Sequence, residues 1–119
     1  MFRKSGLNKK DPPLNVVVTS VKKYFTGRCL DVGCGTGRHL KLMPKASIGI
    51  DFDDDFFGYI KRELPGYSQI KHNLNEYPYP FEDKIFDTIL CSHVLEHLHS
   101  PYKTIMEFRR ILKNNGTLI

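Results

Sequence analysis

Between positions 30 and 37 the chain reads LDVGCGTG, with glycines at 33, 35 and 37 and an acid, Asp31, two residues ahead of the first. Glycine lets a backbone turn sharply and approach a ligand with no Cβ in the way, and N–H groups opening a following helix favour a carboxylate or phosphate. The chemistry implied is that of a cofactor loop. A dinucleotide fingerprint needs glycine where Arg38 stands, and no Gly-Lys-Ser/Thr follows to make a Walker loop. Eighteen residues after Gly33 comes Asp51, placed at the end of a short apolar run. An acid at that place in a doubly wound sheet accepts hydrogen bonds from both hydroxyls of a ribose, which implies a nucleoside. Asp53, Asp54 and Asp55 just beyond it suit a helix cap better.

A second cluster is His93-Val94-Leu95-Glu96-His97, which spells H-x-x-E-H, a zinc motif when its histidines and glutamate share a helical face. Few further ligands follow it, Glu107 being the nearest acid, so no metal site is assigned.

These residues need elements to position them. Asp11 followed by Pro12 and Pro13 reads as a helix entry, continued by Val17, Val21 and Tyr24 or Phe25 at helical spacing, with a strand as the alternative that the Val16–Val18 run leaves open. From Arg28 onward, apolar runs at 28–33, 47–51, 67–73 and 85–92 read as strands. Helices are expected at 38–43, stopped by Pro44, and at 55–64, closed by Pro65 and Gly66. A polar, proline-bearing loop fills 75–84, a helical turn 94–98, and a longer helix starts at Pro101 with Ile105, Phe108, Ile111 and Leu112 on one face. Asn114, Asn115 and Gly116 make a left-handed stop, and Thr117 opens a last strand. Strands alternating with helices at this spacing predict right-handed βαβ units and a parallel sheet covered on both faces.

The 119 residues fit one domain, and 40% hydrophobic against 26% charged residues excludes a disordered chain. Cys29, Cys34 and Cys91 form no C-x-x-C pair, which argues against a disulfide framework and for a reducing, cytoplasmic setting. No stretch approaches the apolar length of a membrane span. The net charge of +5 is uneven, for residues 1–28 hold Arg3, Lys4, Lys9, Lys10, Lys22, Lys23 and Arg28 against Asp11 alone. Residues 1–12 are read as a basic arm and 13–119 as the domain; nucleic acid is a partner the arm allows without favouring, since no aromatic residues interleave its charges.

DVGCGTG, GIDFD, the 73–75 region, PFEDKIFDTILCSHVLEHL and FRRILKNNGTLI, in that order and spacing, resemble the class I methyltransferases that use S-adenosylmethionine, especially the small-molecule and quinone-type members. The resemblance implies a Rossmann-like, doubly wound parallel α/β fold of methyltransferase type, here lacking the C-terminal strands, and a small-molecule methyl acceptor. It implies that Asp31 and the backbone of Gly33 and Gly35 hold the amino and carboxylate ends of the cofactor, with Gly37 allowing close helix packing. Asp51 would bind the ribose, Phe52 lie against the adenine, and Asn73 and Leu74 meet the adenine edge, asparagine standing where the family usually has an acid. Ser92 and His93 would line the site, His93 as the candidate general base. A non-catalytic binding module acting with a partner is the alternative function. The unpaired edge left at strand five is expected to allow homo-oligomers.

Overall fold

The computed structural model describes residues 21–119, so the arm and most of the helix expected from Asp11 lie outside the described residues. A five-stranded sheet carries the fold. Its strands are β1 (Cys29–Val32), β2 (Ile48–Asp51), β3 (Ser68–Lys71), β4 (Phe86–Cys91) and β5 (Leu112–Leu118), all parallel, in the order β3-β2-β1-β4-β5. The expected doubly wound α/β architecture is therefore present. Side chains alternate between two cores, as a sheet covered on both faces requires. Leu30, Val32, Ile48, Ile50 and Ile89 meet Tyr79, Phe81, Phe108 and Ile111 on one face. Cys29 and Leu90 meet Phe25, Cys34, Leu40, Met43 and Ile60 on the other.

The helices start where capping chemistry places them. In α1 (Asp54–Glu63) the Asp53 carboxylate accepts from the Asp55 amide at 2.9 Å, and in α2 (Pro101–Ile111) the Ser100 hydroxyl accepts from the Lys103 amide with Pro101 in the first turn.

Three expectations are corrected. The helix read over 38–43 is a single 3₁₀ turn, Leu40–Leu42. Pro44 holds Met43 extended (ψ 160°) and the chain must reach β2 four residues later, so no second turn fits. The face of α2 against the sheet is Thr104, Glu107, Phe108 and Ile111, while Ile105 is exposed. Two polar residues can occupy a core face because the 77–84 loop supplies their partners: the Thr104 hydroxyl meets the Tyr77 hydroxyl, and Glu107 accepts from the Tyr79 amide and from Arg110. Last, α2 ends at Ile111 and not at the Asn114-Asn115-Gly116 stop, since Leu112 is already extended and pairs with Phe86. Asn115 does adopt the left-handed conformation (φ 67°), within an excursion between Leu112 and Thr117 that the β4–β5 ladder skips.

Candidate functional site

The glycine loop leaves the carboxyl end of β1, where the sheet's connections change direction: β2 follows on one side and β4 lies on the other. Gly33, Gly35 and Gly37 all have positive φ (71°, 54° and 83°). At Gly33 a Cβ would stand 2.5 Å from Val94 Cγ2, and at Gly37 2.5 Å from Leu64 Cδ1, so the loop is clamped between the turn after β4 and the end of α1. The nearest atom to a Cβ on Gly35 is 4.0 Å away, so this glycine is required by its φ and not by crowding. The N–H groups of Gly33 and Cys34 both donate to the Ile50 carbonyl, tying the loop to β2. Only one 3₁₀ turn follows, so no helix N-terminus faces the loop, and the amides of Gly33, Cys34, Gly35 and Gly37 all donate within the chain.

Asp31 lies under this loop, 3% exposed, and its Oδ2 is buried with no hydrogen-bond partner among the described residues. Burial, reinforced by the nearby Asp51 carboxylate and opposed by the Leu40 amide, pushes its carboxyl up to about 7. Burial and the same two acids hold the Cys34 thiol far above its usual range, so that thiol is inert.

Asp51 ends β2 with both oxygens engaged. Oδ2 accepts from the Gly35 amide at 2.9 Å, and Oδ1 from the amides of Phe52 at 2.7 Å and Asp53 at 3.2 Å. A carboxylate offers about four lone-pair sites, so acceptor capacity remains for a ligand. Phe52, beside it, is 60% exposed, and the Lys71 ammonium stands over its ring at 5.3 Å from the centroid.

Asn73 follows β3, its Oδ1 accepting from the Asn75 amide at 2.9 Å in a turn. Leu74 packs on the core, and its carbonyl accepts from the Tyr79 hydroxyl at 2.9 Å. At the end of β4, Ser92 is half-buried and His93 is exposed with φ 58°, a left-handed conformation uncommon outside glycine. His39, in the loop segment opposite, is shifted down by burial and then by the nearby Arg38 and His93 side chains. The H-x-x-E-H segment is not a helix: His93 lies in the strand exit and only Leu95–His97 forms a 3₁₀ turn, so its histidines do not share a helical face. Among the described residues no group of three or more His, Cys, Asp or Glu side chains is placed to hold a metal.

Asp31, the three glycines, Asp51, Phe52, Asn73, Leu74, Ser92 and His93 thus all fall at the carboxyl ends of β1 to β4. Sequence reasoning missed Lys71 and Val94. Lys71 becomes visible only through the register that pairs it with Asp51, and Val94 only through its contact with Gly33.

The methyltransferase-domain family matches residues 30–119. A tRNA U34 carboxymethyltransferase of Hydrogenovibrio crunogenus is 32% identical over 103 residues, which cover 77% of this chain and 31% of that protein. A protein of Mycobacterium tuberculosis named as a probable S-adenosylmethionine-dependent methyltransferase is 28% identical over 93 residues, covering 76% and 33% of the two chains. The solved structure of YcgJ from Bacillus subtilis superposes with a TM-score of 0.70 at 22% identity, over 88% of this chain and 48% of that one. The chain spans about a third of the length of these curated relatives and about half of the solved one.

Proposed function

Because the chain belongs to the methyltransferase-domain family, we propose that its glycine loop binds S-adenosylmethionine and that the domain serves methyl transfer to an acceptor. The observation that carries this reading is the Oδ2 of Asp31, buried beneath a loop of left-handed glycines with no hydrogen-bond partner among the described residues. A buried carboxylate oxygen without a donor calls for a cationic one, and the α-ammonium of the cofactor is of that kind.

In this reading Asp31 receives the ammonium, and the carboxylate lies along the backbone of Gly33 and Gly35, whose own amides are tied to the Ile50 carbonyl and the Asp51 carboxylate. Gly37 lets the loop press against Leu64, with no room for a side chain. Asp51 accepts from the ribose hydroxyls, and Phe52 offers its exposed ring to the base. Asn73 and the backbone at Leu74 meet the adenine edge. Asparagine can accept from the adenine amine as an acid would, through the lone pair that the Asn75 amide leaves unused.

Bound S-adenosylmethionine supplies a methyl group already activated on a sulfonium. The chain's residues therefore need only align the acceptor and exclude water. In the same reading Ser92 lines the site and the His93 imidazole is the candidate general base for the acceptor's proton. We read the acceptor as a small molecule. Residues 29–119, which carry every residue of the site, are close to neutral in charge, without the cation excess that marks an RNA-binding face. The similarity to a tRNA U34 carboxymethyltransferase makes RNA the class to test beside it.

Calorimetric titration with S-adenosylmethionine and S-adenosylhomocysteine tests the site. Binding that also raises the melting temperature is expected, since a ligand specific to the folded state must stabilise it. A well-folded sample that binds neither would remove the cofactor assignment and the enzymatic reading with it.

A further inference from the structure

Lys71 closes β3 in register with Asp51, the last residue of β2, and its Nζ stands 5.3 Å from the centre of the Phe52 ring. The arrangement is built, because both partners are carried by tethered backbone. The Asp51 carboxylate holds the Phe52 amide at 2.7 Å and the Asp53 amide at 3.2 Å, where α1 is about to begin. From the other strand the His72 amide donates to the Asp51 carbonyl at 2.9 Å, fixing the chain immediately after Lys71. The two strand ends cannot drift apart without breaking these bonds.

An ammonium above an aromatic face is attracted by the ring's quadrupole. It also draws electron density toward itself, which makes the opposite face a better partner for an electron-rich π-system. Phe52 keeps that possibility open, for the ring is 60% exposed even with Lys71 over it. Among the large hydrophobic side chains of residues 50–60 it is the most exposed, ahead of Phe57 at 42% and Tyr59 at 40%, while Ile50 and Ile60 are fully buried. A ring held out in solvent, with a cation over it and a carboxylate beside it, suits a nucleoside: the carboxylate takes the sugar and the free ring face takes the base.

We infer that Lys71 is a positioning residue for the base of the bound nucleoside, holding the Phe52 ring outward and tuning it for stacking. This rests on the cofactor site proposed above. It goes beyond that site in assigning selectivity for an aromatic base to a pair of side chains on adjacent strands. If the cation over the ring were an ordinary surface contact, removing it would leave ligand binding unchanged, or would weaken every ligand alike through loss of local order.

The experiment compares two ligands that differ only in the base. S-adenosylhomocysteine and S-ribosylhomocysteine, which lacks the adenine, are titrated into the parent chain, Lys71→Met, Lys71→Arg, Phe52→Leu and the Lys71→Met/Phe52→Leu double variant. Lys71→Met is expected to weaken S-adenosylhomocysteine binding by about two- to fivefold, the range of an exposed cation–aromatic contact. Lys71→Arg should keep most of the affinity, as a guanidinium also covers an aromatic face. The base-free ligand should bind all variants alike, and the double variant no worse than Phe52→Leu, since the two residues act as one unit. Equal losses for both ligands, or additive losses in the double variant, would overturn the inference. Parental binding with Lys71→Met unchanged would overturn it too while leaving the cofactor site standing; a parent that binds no S-adenosylhomocysteine removes both. Circular dichroism of each variant separates lost affinity from lost fold, and Lys71→Gln replaces Lys71→Met if that variant does not fold.

Discussion

Asp31 is a carboxyl placed where ionising it is unfavourable. Burial and the neighbouring Asp51 raise it from 3.8 to about 7, so between those values the folded chain keeps a proton that the unfolded chain has lost. Stability contributed by this group therefore falls as pH rises across that interval and is level above it. Asp31→Asn removes the effect. Melting curves should show the variant more stable than the parent at about pH 8, by a few kcal/mol at most, and converging with it near about pH 4. Cofactor affinity should move the opposite way, strengthening in the parent as Asp31 ionises and becoming weak and pH-independent in the variant; a parent whose affinity is flat over the interval would separate Asp31 from the ammonium. Asp51 has a double duty, because its carboxylate organises the amides of Gly35, Phe52 and Asp53 besides facing the site. Asp51→Ala should weaken S-adenosylhomocysteine binding by about 2–3 kcal/mol, the scale of hydrogen bonds to a charged group, and lower the melting temperature as well. An unaltered dissociation constant would reduce Asp51 to a loop-organising acid. These residues were legible because their spacing alone constrains the backbone: alternating glycines and an acid at a strand end leave few readings. Lys71 and Val94 were not, since a lysine in a strand and a valine in a turn acquire meaning only from what the neighbouring strand brings beside them.

Among the elements, α2 and the 77–84 loop act as one piece, joined by Arg110. Its guanidinium donates to the carbonyls of Tyr79 and Phe81 and to the carboxylates of Asp83 and Glu107. Burial pulls the Glu107 carboxyl upward, but bonds from Arg110 and the Tyr79 amide outweigh it and hold the group below its ordinary value. Its stabilising share is thus present at neutral pH and is lost as pH falls through the depressed value. Arg110→Met should destabilise the chain by about 2–3 kcal/mol in urea unfolding, less than a fully buried pair would lose because the guanidinium is partly exposed. A change below about 0.5 kcal/mol would show the loop to be held by its aromatic residues instead. The start of α2 was legible from Ser100 and Pro101, a local signal, whereas its buried face was not. Periodicity pointed to Ile105, yet the helix turns Thr104 and Glu107 inward because partners for them arrive from a loop far away in sequence. The missing helix after the glycine loop has the same kind of cause: proline at 44 and the short path to β2 override a helical composition.

At the scale of the whole molecule, strand order decides what is finished and what stays open. Among the described residues β5 is an edge of the sheet, and a cavity of about 570 Å³ runs between it and α2, lined by Ile105, Met106, Leu112 and Leu118 among others. Unpaired strand backbone beside exposed apolar side chains favours association. The 119-residue chain is expected to show a mass that rises with concentration in light scattering, and Ile105→Lys should suppress the rise; a parent monomeric at every concentration would contradict this. The same order, β3-β2-β1-β4-β5, means that each strand after the first is laid against an edge already present, β2 and β3 on one side of β1, then β4 and β5 on the other. No strand has to be threaded between two others. A chain leaving the ribosome amino end first can therefore build its sheet in the order of synthesis, and the residues gathered around the glycine loop, none of which comes from later than Val94, are all available before β5 has been translated. This topology allows ligand capture by a nascent chain, which a sheet with its first-made strand at an edge and its last-made strand in the middle would deny.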